Sequence, residues 1–202
     1  MDTGVVPATA GGSQKQSDGG QSGGTAIEQT ILEAIRDGDG RGALTLCARH
    51  HGPAIGRLCM AITGSQAEAD DLMQETLLAA HDAFTSFRGD GSIRSWLLGI
   101  ARRKCARHIE RSARREAKLR LVHDATKQPE TEELLATRRR AEAARAALDH
   151  VRPSEREALL LRYVSELSYR EVGSACGIEE TAARKRVSRA IATLRHVLDR
   201  KE

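Results

Sequence analysis

Aromatic side chains are almost missing from this chain: one Trp, two Tyr and two Phe in 202 residues. The core must therefore be built from Leu, Ile, Val and Ala, which suits packed helices. Alternating runs of β-branched and aromatic residues are also missing, so a sheet is not expected. No apolar run is long enough to cross a bilayer, and the N-terminus lacks a signal-peptide core. The expectation is a cytoplasmic protein without direct membrane insertion. Cys47, Cys59, Cys105 and Cys176 form no Cys-x-x-Cys pair. Cys47, His50, His51 and Cys59 could be imagined around a metal, but their spacing fits no standard zinc site, so they read as buried thiols. There is no Gly-x-Ser-x-Gly elbow and no phosphate-cradling loop, and His81, His108, His150 and His196 are dispersed. No enzyme, metal or cofactor is expected.

Segregated charge is what the chain does have. The formal net charge is only +4. Yet Arg102, Arg103, Lys104, Arg107, Arg111, Arg114, Arg115, Lys118 and Arg120 form one basic block, and Arg184, Lys185, Arg186, Arg189 and Arg195 form another. Acidic residues gather at Glu68, Asp70, Asp71 and Glu75, and again from Glu130 to Glu133. Such separation points to charged partners more than the total does.

The chain divides accordingly. Residues 1–25 are rich in Gly, Ser, Gln and Thr and read as a disordered tail. Residues 26–117 read as a first helical domain, 118–131 as a flexible linker and 132–199 as a second helical domain. The fold class is all-α: two small domains joined by a tether. A capping box at Thr25-Ala26-Ile27-Glu28 opens the first helix, which ends near residues 37–40. Further helices are expected at about 42–62, with a break or kink around Gly52-Pro53, at about 66–84 and at about 93–117. Ser65 with Glu68 is a second capping box, and Arg88-Gly89-Asp90-Gly91-Ser92 is a loop by its glycines. The second domain reads as helices at about 132–149, 154–165, 168–176 and 179–199. Ser154 and Ser168 are the expected N-caps, with Glu171 completing a third capping box.

Three segments carry chemistry. In the last helix, Ala183, Val187, Ile191, Leu194 and Leu198 fall on one inward stripe at 100° per residue. Thr181, Arg184, Lys185, Ser188 and Arg189 then lie on or beside the opposite face. A short helix, a glycine turn and this basic helix form a helix-turn-helix pattern, whose second helix enters the DNA major groove. In the helix from Ile93, Leu97, Ile100, Ala101 and Cys105 form the apolar side. Trp96, Arg103, Arg107 and Arg114 share another stripe, suited to stacking a base and holding phosphates, although Trp96 reads equally as core. In the helix from Glu68, Leu72, Thr76, Ala80 and Phe84, with Leu77, make the core stripe. Asp70, Asp71, Gln74 and Glu75 crowd the other side, either as carboxylates favoured by the helix dipole or as a docking face for a basic surface.

In this order the pieces resemble the extracytoplasmic-function sigma factors of bacterial RNA polymerase. The resemblance covers about Ala26 to Leu198. It rests on Ala69-Asp70-Asp71-Leu72-Met73-Gln74-Glu75-Thr76-Leu77, on Phe84 through Arg102, and on Pro153 through Tyr163 with Leu167 through Val172. It implies that residues 26–117 are sigma domain two and residues 132–199 sigma domain four, with the third sigma domain missing. Asp70, Asp71, Gln74 and Glu75 would then dock on the clamp helices of the polymerase β′ subunit. Arg88, Gly89, Asp90 and Ser92 would hold a flipped −10 base, with Trp96, Arg103 and Arg107 supporting the melted strand. Thr181, Arg184, Lys185, Ser188 and Arg189 would read the −35 duplex while domain four touches the β flap. An anti-sigma factor is the implied regulator. The chain departs from the family pattern at Thr181-Ala182-Ala183 and at Lys185, which puts the −35 preference in question, and no further domain is expected beyond Glu202.

Two other classes fit parts of this pattern. A stand-alone helix-turn-helix regulator would bind operator DNA unaided. An adaptor that only sequesters partners would not need the basic face.

Overall fold

The computed structural model describes residues 21–89, 91–119 and 132–199. Among them the chain is all-α. The order is α1 (Gln21–Arg36), α2 (Gly40–Thr63), α3 (Gln66–Ala83), a 3₁₀ turn (Phe84–Ser86), α4 (Ile93–Leu119), α5 (Glu132–Leu148), α6 (Pro153–Tyr163), α7 (Tyr169–Cys176) and α8 (Glu180–Asp199).

Local chemistry sets most boundaries. The Asp39 side chain accepts from Gly42 N at 2.8 Å and opens α2, which ends on Gly64 in the left-handed region. Ser65 caps α3 through Glu68 N. Ser168 and Glu171 form the reciprocal capping box expected for α7, which ends on Gly177 at φ +67°. That glycine makes the turn into α8. Gly173 allows its tightness, because a Cβ there would lie 2.7 Å from the Ile178 carbonyl oxygen.

The structure corrects five expectations. Helix α1 begins at Gln21, so residues 21–25 are helical, while residues 1–20 lie outside the described residues. The Thr25–Glu28 box is therefore not a cap: Thr25 is inside the helix, and the Glu28 carboxylate instead accepts from the backbone N–H of Ile93 at the start of α4. Helix α2 runs unbroken through Pro53, whose side chain faces solvent. Helix α6 begins at Pro153 with Arg152 as an N-cap lacking a side-chain bond, because the fixed φ of proline suits the first helical position and moves Ser154 inside. In α8 Ala183, Val187 and Ala190 are buried and Ile191 and Leu194 pack partly buried against the core, whereas Leu198 is 55% exposed. The 118–131 linker lies outside the described residues except for its first two positions, which continue α4.

Two helical groups form. In the first, α2, α3 and α4 pack around Ile55, Leu58, Leu72, Leu97, Leu98 and Ala101, with Ile31 of α1 joining them. In the second, α6, α7 and α8 pack around Leu161, Leu167, Val172 and Val187. The groups are not separate bodies: α4 packs directly on α7. A Cβ on Gly99 of α4 would stand 3.0 Å from the Ala175 carbonyl oxygen, so the two backbones meet where side chains are smallest. Ser95 reaches the Ser174 hydroxyl at 3.5 Å. Polar bonds frame this seam. Ser92 Oγ donates to Glu171 Oε1 at 3.1 Å, Arg94 donates to the Ser165 carbonyl at 2.5 Å, and Arg102 pairs with Glu157 at 2.6 Å.

Gly99→Leu should force this seam apart. Small-angle scattering is expected to show a larger radius of gyration at unchanged helicity; an unchanged radius would contradict the seam. A second expectation concerns His51, whose pKa is pushed down to about 4, first by burial, then by the Arg94 and His50 charges. The unfolded chain binds this proton near 6.5 and the folded chain only near 4, so stability falls as pH drops across that window and is insensitive to His51 above it. Thermal melts of His51→Asn should lose less midpoint between pH 7 and pH 4.5 than wild type.

Candidate nucleic-acid interface

Helix α4 presents three faces. Its apolar side, Leu97, Ile100, Ala101 and Cys105, is buried as expected. Its small and polar side meets α7. Its third side carries Trp96, Arg103 and Arg107. Trp96 is half-buried, packed on Phe87 at 5.1 Å and Phe84 at 6.1 Å between ring centroids. So three of the chain's five aromatic side chains gather here, with His81 edge-on to Phe84. Trp96 packs one side on the core and lines two concavities with the other. One, about 250 Å³, is formed by Ser86, Phe87, Arg88, Gly91, Trp96 and Ser174. The other, about 300 Å³, includes Ala83, Trp96, Ile100, Arg103, Lys104 and Arg107. Arg103 and Arg107 are exposed and form no ion pair among the described residues. Burial of its stem first, then the Arg102 and Arg107 charges, lower the pKa of Arg103 without discharging it.

The glycine loop joins this surface. Arg88 and Gly89 are exposed, Gly89 at φ +77°; Asp90 lies outside the described residues. Ser92 caps α4 by accepting from Ser95 N at 3.1 Å while donating to Glu171. Two carboxylates thus converge on the start of α4: Glu28 from α1 and Glu171 from α7. The Glu28 pKa is raised, first by burial and then by Glu171, against the lowering effect of the Ile93 bond.

On α3 the acidic face divides. Asp71 and Gln74 are exposed. Asp70 accepts from Gln66 at 2.8 Å, and Glu75 is held by Lys104 of α4 at 3.2 Å. Glu68 faces His108 of α4 at 3.3 Å. Leu78, 61% exposed, extends the Asp71–Gln74 stripe by one turn. Sequence reasoning missed it, although an apolar residue seven after Asp71 and off the core stripe was the signal.

On α8, Thr181, Arg184, Lys185, Ser188 and Arg189 are all exposed on the face away from the core. Their cations are not equivalent. Arg184 bonds Glu180 at 2.8 Å and lies 4.4 Å from the Tyr169 ring centroid, which Arg162 approaches from 5.2 Å. Arg189 points toward Glu155 at 3.8 Å, a carboxylate buried in α6. Lys185 forms no ion pair among the described residues. Tyr169 was also missed; the signal was an aromatic immediately after the N-cap of the first helix of the motif. A cleft of about 1170 Å³ lies between the glycine loop and the α7–α8 turn, with Gly89 and Ser92 on one wall and Arg170, Ser174 and Glu179 on the other.

Both halves match one class of transcription factor, the sigma-70 class. Residues 47–115 fit sigma-70 region 2, and residues 141–194 fit a sigma-70 region 4. The chain is 33% identical over 150 residues to the ECF RNA polymerase sigma factor EcfG of Rhodopseudomonas palustris, covering 72% of this chain and 80% of that one. It is 32% identical over 163 residues to SigG of Mycobacterium tuberculosis, covering 69% of this chain but only 44% of SigG, so the chain spans less than half of that relative. With SigM of the same species it shares 30% over 172 residues, 83% of each chain. The chain belongs to the extracytoplasmic-function family of RNA polymerase sigma factors. Its fold also matches CnrH, solved in complex with the cytosolic domain of CnrY, at TM-score 0.67 and 22% identity over 87% of this chain and 99% of that one. RpoE of Bartonella quintana, solved with the anti-sigma factor NepR, matches at 0.55 and 23% over 75% and 94%.

Tyr169→Ala should release Arg184. At about 0.5–1 kcal/mol for an exposed cation–π contact, duplex DNA binding is expected to weaken about two- to five-fold, and Tyr169→Phe to restore it. Titration of the variants against labelled duplex measures this.

Proposed function

We propose that the chain is a dissociable promoter-specificity subunit that lends sequence recognition to core RNA polymerase and performs no catalysis of its own. Residues 26–117 act as sigma domain two and residues 132–199 as sigma domain four, working in the cytoplasm. The observation that carries this reading is Trp96 flanked by two base-sized hollows, one beside the glycine loop and one beside Arg103 and Arg107. A base turned out of the non-template strand fits the hollow lined by Arg88 and Gly91, and Gly89, Asp90 and Ser92 of the same glycine loop belong to this −10 assignment. The following strand runs past Trp96 and along the two arginines, with stacking and phosphate contacts sharing the work. Arg184, Lys185, Ser188 and Arg189 with Thr181 read the −35 duplex, Lys185 as the most freely placed phosphate or base contact. Asp70, Asp71, Gln74 and Glu75, with Leu78 beside them, dock on the β′ clamp helices, and domain four meets the β flap. Neither DNA site need bind tightly alone, because tethered modest contacts combine through effective concentration.

The closed arrangement adds a step. Ser174 of α7 borders the hollow beside Trp96, and Glu171 holds Ser92. Domain four must leave α4 before a strand can enter, so polymerase docking and domain separation belong to one event. An apolar groove of about 690 Å³ favours control by an anti-sigma factor. Met60 and Met73 line it from one domain and Ala144, Leu148 and Val164 from the other, so an amphipathic helix seated there would hold both closed.

Run-off transcription with core polymerase tests the reading. Replacing Lys185 and Arg189 by Ala should abolish promoter-specific initiation while core binding persists, and Asp71→Arg should weaken core binding in titration. Tight specific operator binding by the free chain, with no gain from polymerase, would favour the stand-alone regulator instead.

A further inference from the structure

Among the four cysteines, two that are 46 positions apart meet in the core of the first helical group. Cys59 of α2 and Cys105 of α4 stand with their sulfurs 3.6 Å apart, both fully buried. The contact lies where α2 and α4 pack, behind the face of α4 that carries Arg103 and Arg107. Cys47 lies twelve positions before Cys59 on α2, and Cys176 sits in α7. We infer that Cys59 and Cys105 are a dithiol that oxidants of the peroxide class close into a cross-link between α2 and α4.

The geometry is close to what the bond needs. A disulfide holds its sulfurs at about 2.05 Å, so the observed 3.6 Å must shrink by ~1.5 Å, a distance that side-chain rotation with a small helix shift can cover. The roles of the two sulfurs differ. The Cys105 thiol donates to Cys59, which holds the Cys105 proton and makes Cys59 the sulfur that gives up its proton first. In the reaction the Cys59 thiolate attacks a peroxide oxygen. The O–O bond breaks, the leaving oxygen departs as water after protonation, and Cys59 becomes a sulfenic acid. The Cys105 sulfur then attacks the Cys59 sulfur; the S–S bond forms, the S–O bond breaks, and that oxygen leaves as a second water, taking the Cys105 proton. Two thiols lose two electrons, and one peroxide is reduced to two waters.

Burial governs the rate rather than the outcome. Neither sulfur meets solvent in the packed core, so oxidation proceeds through openings of α4 from α2, and the finished bridge is shielded from reductant in the same way. The loop it closes contains the α3 docking face, the glycine loop, Trp96 and Arg103, so the bridge staples the candidate polymerase face and all of the −10 surface but Arg107 without touching a DNA-facing side chain. The inference stands on the core contact and does not depend on the promoter reading.

The test uses the full chain, treated with hydrogen peroxide, then denatured, alkylated and mapped by mass spectrometry. The expected result is a linked pair of peptides carrying Cys59 and Cys105, reversed by dithiothreitol, with Cys47 still alkylated. A Cys176→Ala chain should give the same link, and the oxidised form should melt several degrees higher than the reduced form. The inference is overturned if exhaustive oxidation leaves Cys59 and Cys105 separately alkylated, or produces only chain-to-chain disulfides or Cys176 oxidation. A bridge that left the melting midpoint unchanged would refute the stapling.

Discussion

Gly99 has no side chain, and the closed form of this protein depends on that. The α4 backbone lies against the Ala175 carbonyl at a distance that would leave a Cβ only 3.0 Å away. Close approach brings Ser92, Ser95, Arg94 and Arg102 within reach of Glu171, Ser174, Ser165 and Glu157. These polar bonds frame an apolar contact, because Leu97 and Leu98 of α4 and Val172 and Ala175 of α7 belong to one buried cluster. The same helix keeps its apolar side in domain two and turns its cations outward. The α7 contact and the outward cations Arg103 and Arg107 thus lie on different sides of one helix.

Charge is arranged by the same logic. The α3 carboxylates nearest α4 are engaged, Glu75 by Lys104 and Glu68 by His108, while Asp71 and Gln74 are exposed beside them. On α8 the cations are graded from Arg184, stacked and ion-paired, to Lys185, which has no ion pair among the described residues. Fixing a guanidinium in advance lowers the entropy lost when it meets a phosphate or guanine, while a free ammonium can adapt to more than one contact. Helix α1, which precedes the matched region 2, contributes Glu28 to the start of α4. The glycine loop therefore sits beside a helix end fixed by a carboxylate from outside the family core.

Much of the fold was legible from local rules. The caps at Ser65 and Ser168, the glycine turn at Gly177 and the apolar stripes of α3 and α4 each follow from a few neighbouring residues, and all appear in the structure. Thr25, Ser154 and Leu198 misled for an equally local reason. A capping side chain also works inside a helix or when the helix starts one residue away, and an apolar residue near a helix end need not find a partner. Leu78 and Tyr169 escaped because their importance lies in what stands beside them in space.

By itself, the sequence determined the helices, the faces they bury and the segregation of acidic from basic surface, because periodicity and capping act over three or four residues. Only the tertiary structure decided that α7 covers the end of α4, that Trp96 has a hollow on each side, and that Cys59 meets Cys105. The Cys59–Cys105 and Ser92–Glu171 contacts join positions 46 and 79 residues apart. Which residue a side chain meets at such separations depends on how whole helices settle against one another, and helical periodicity carries no record of that.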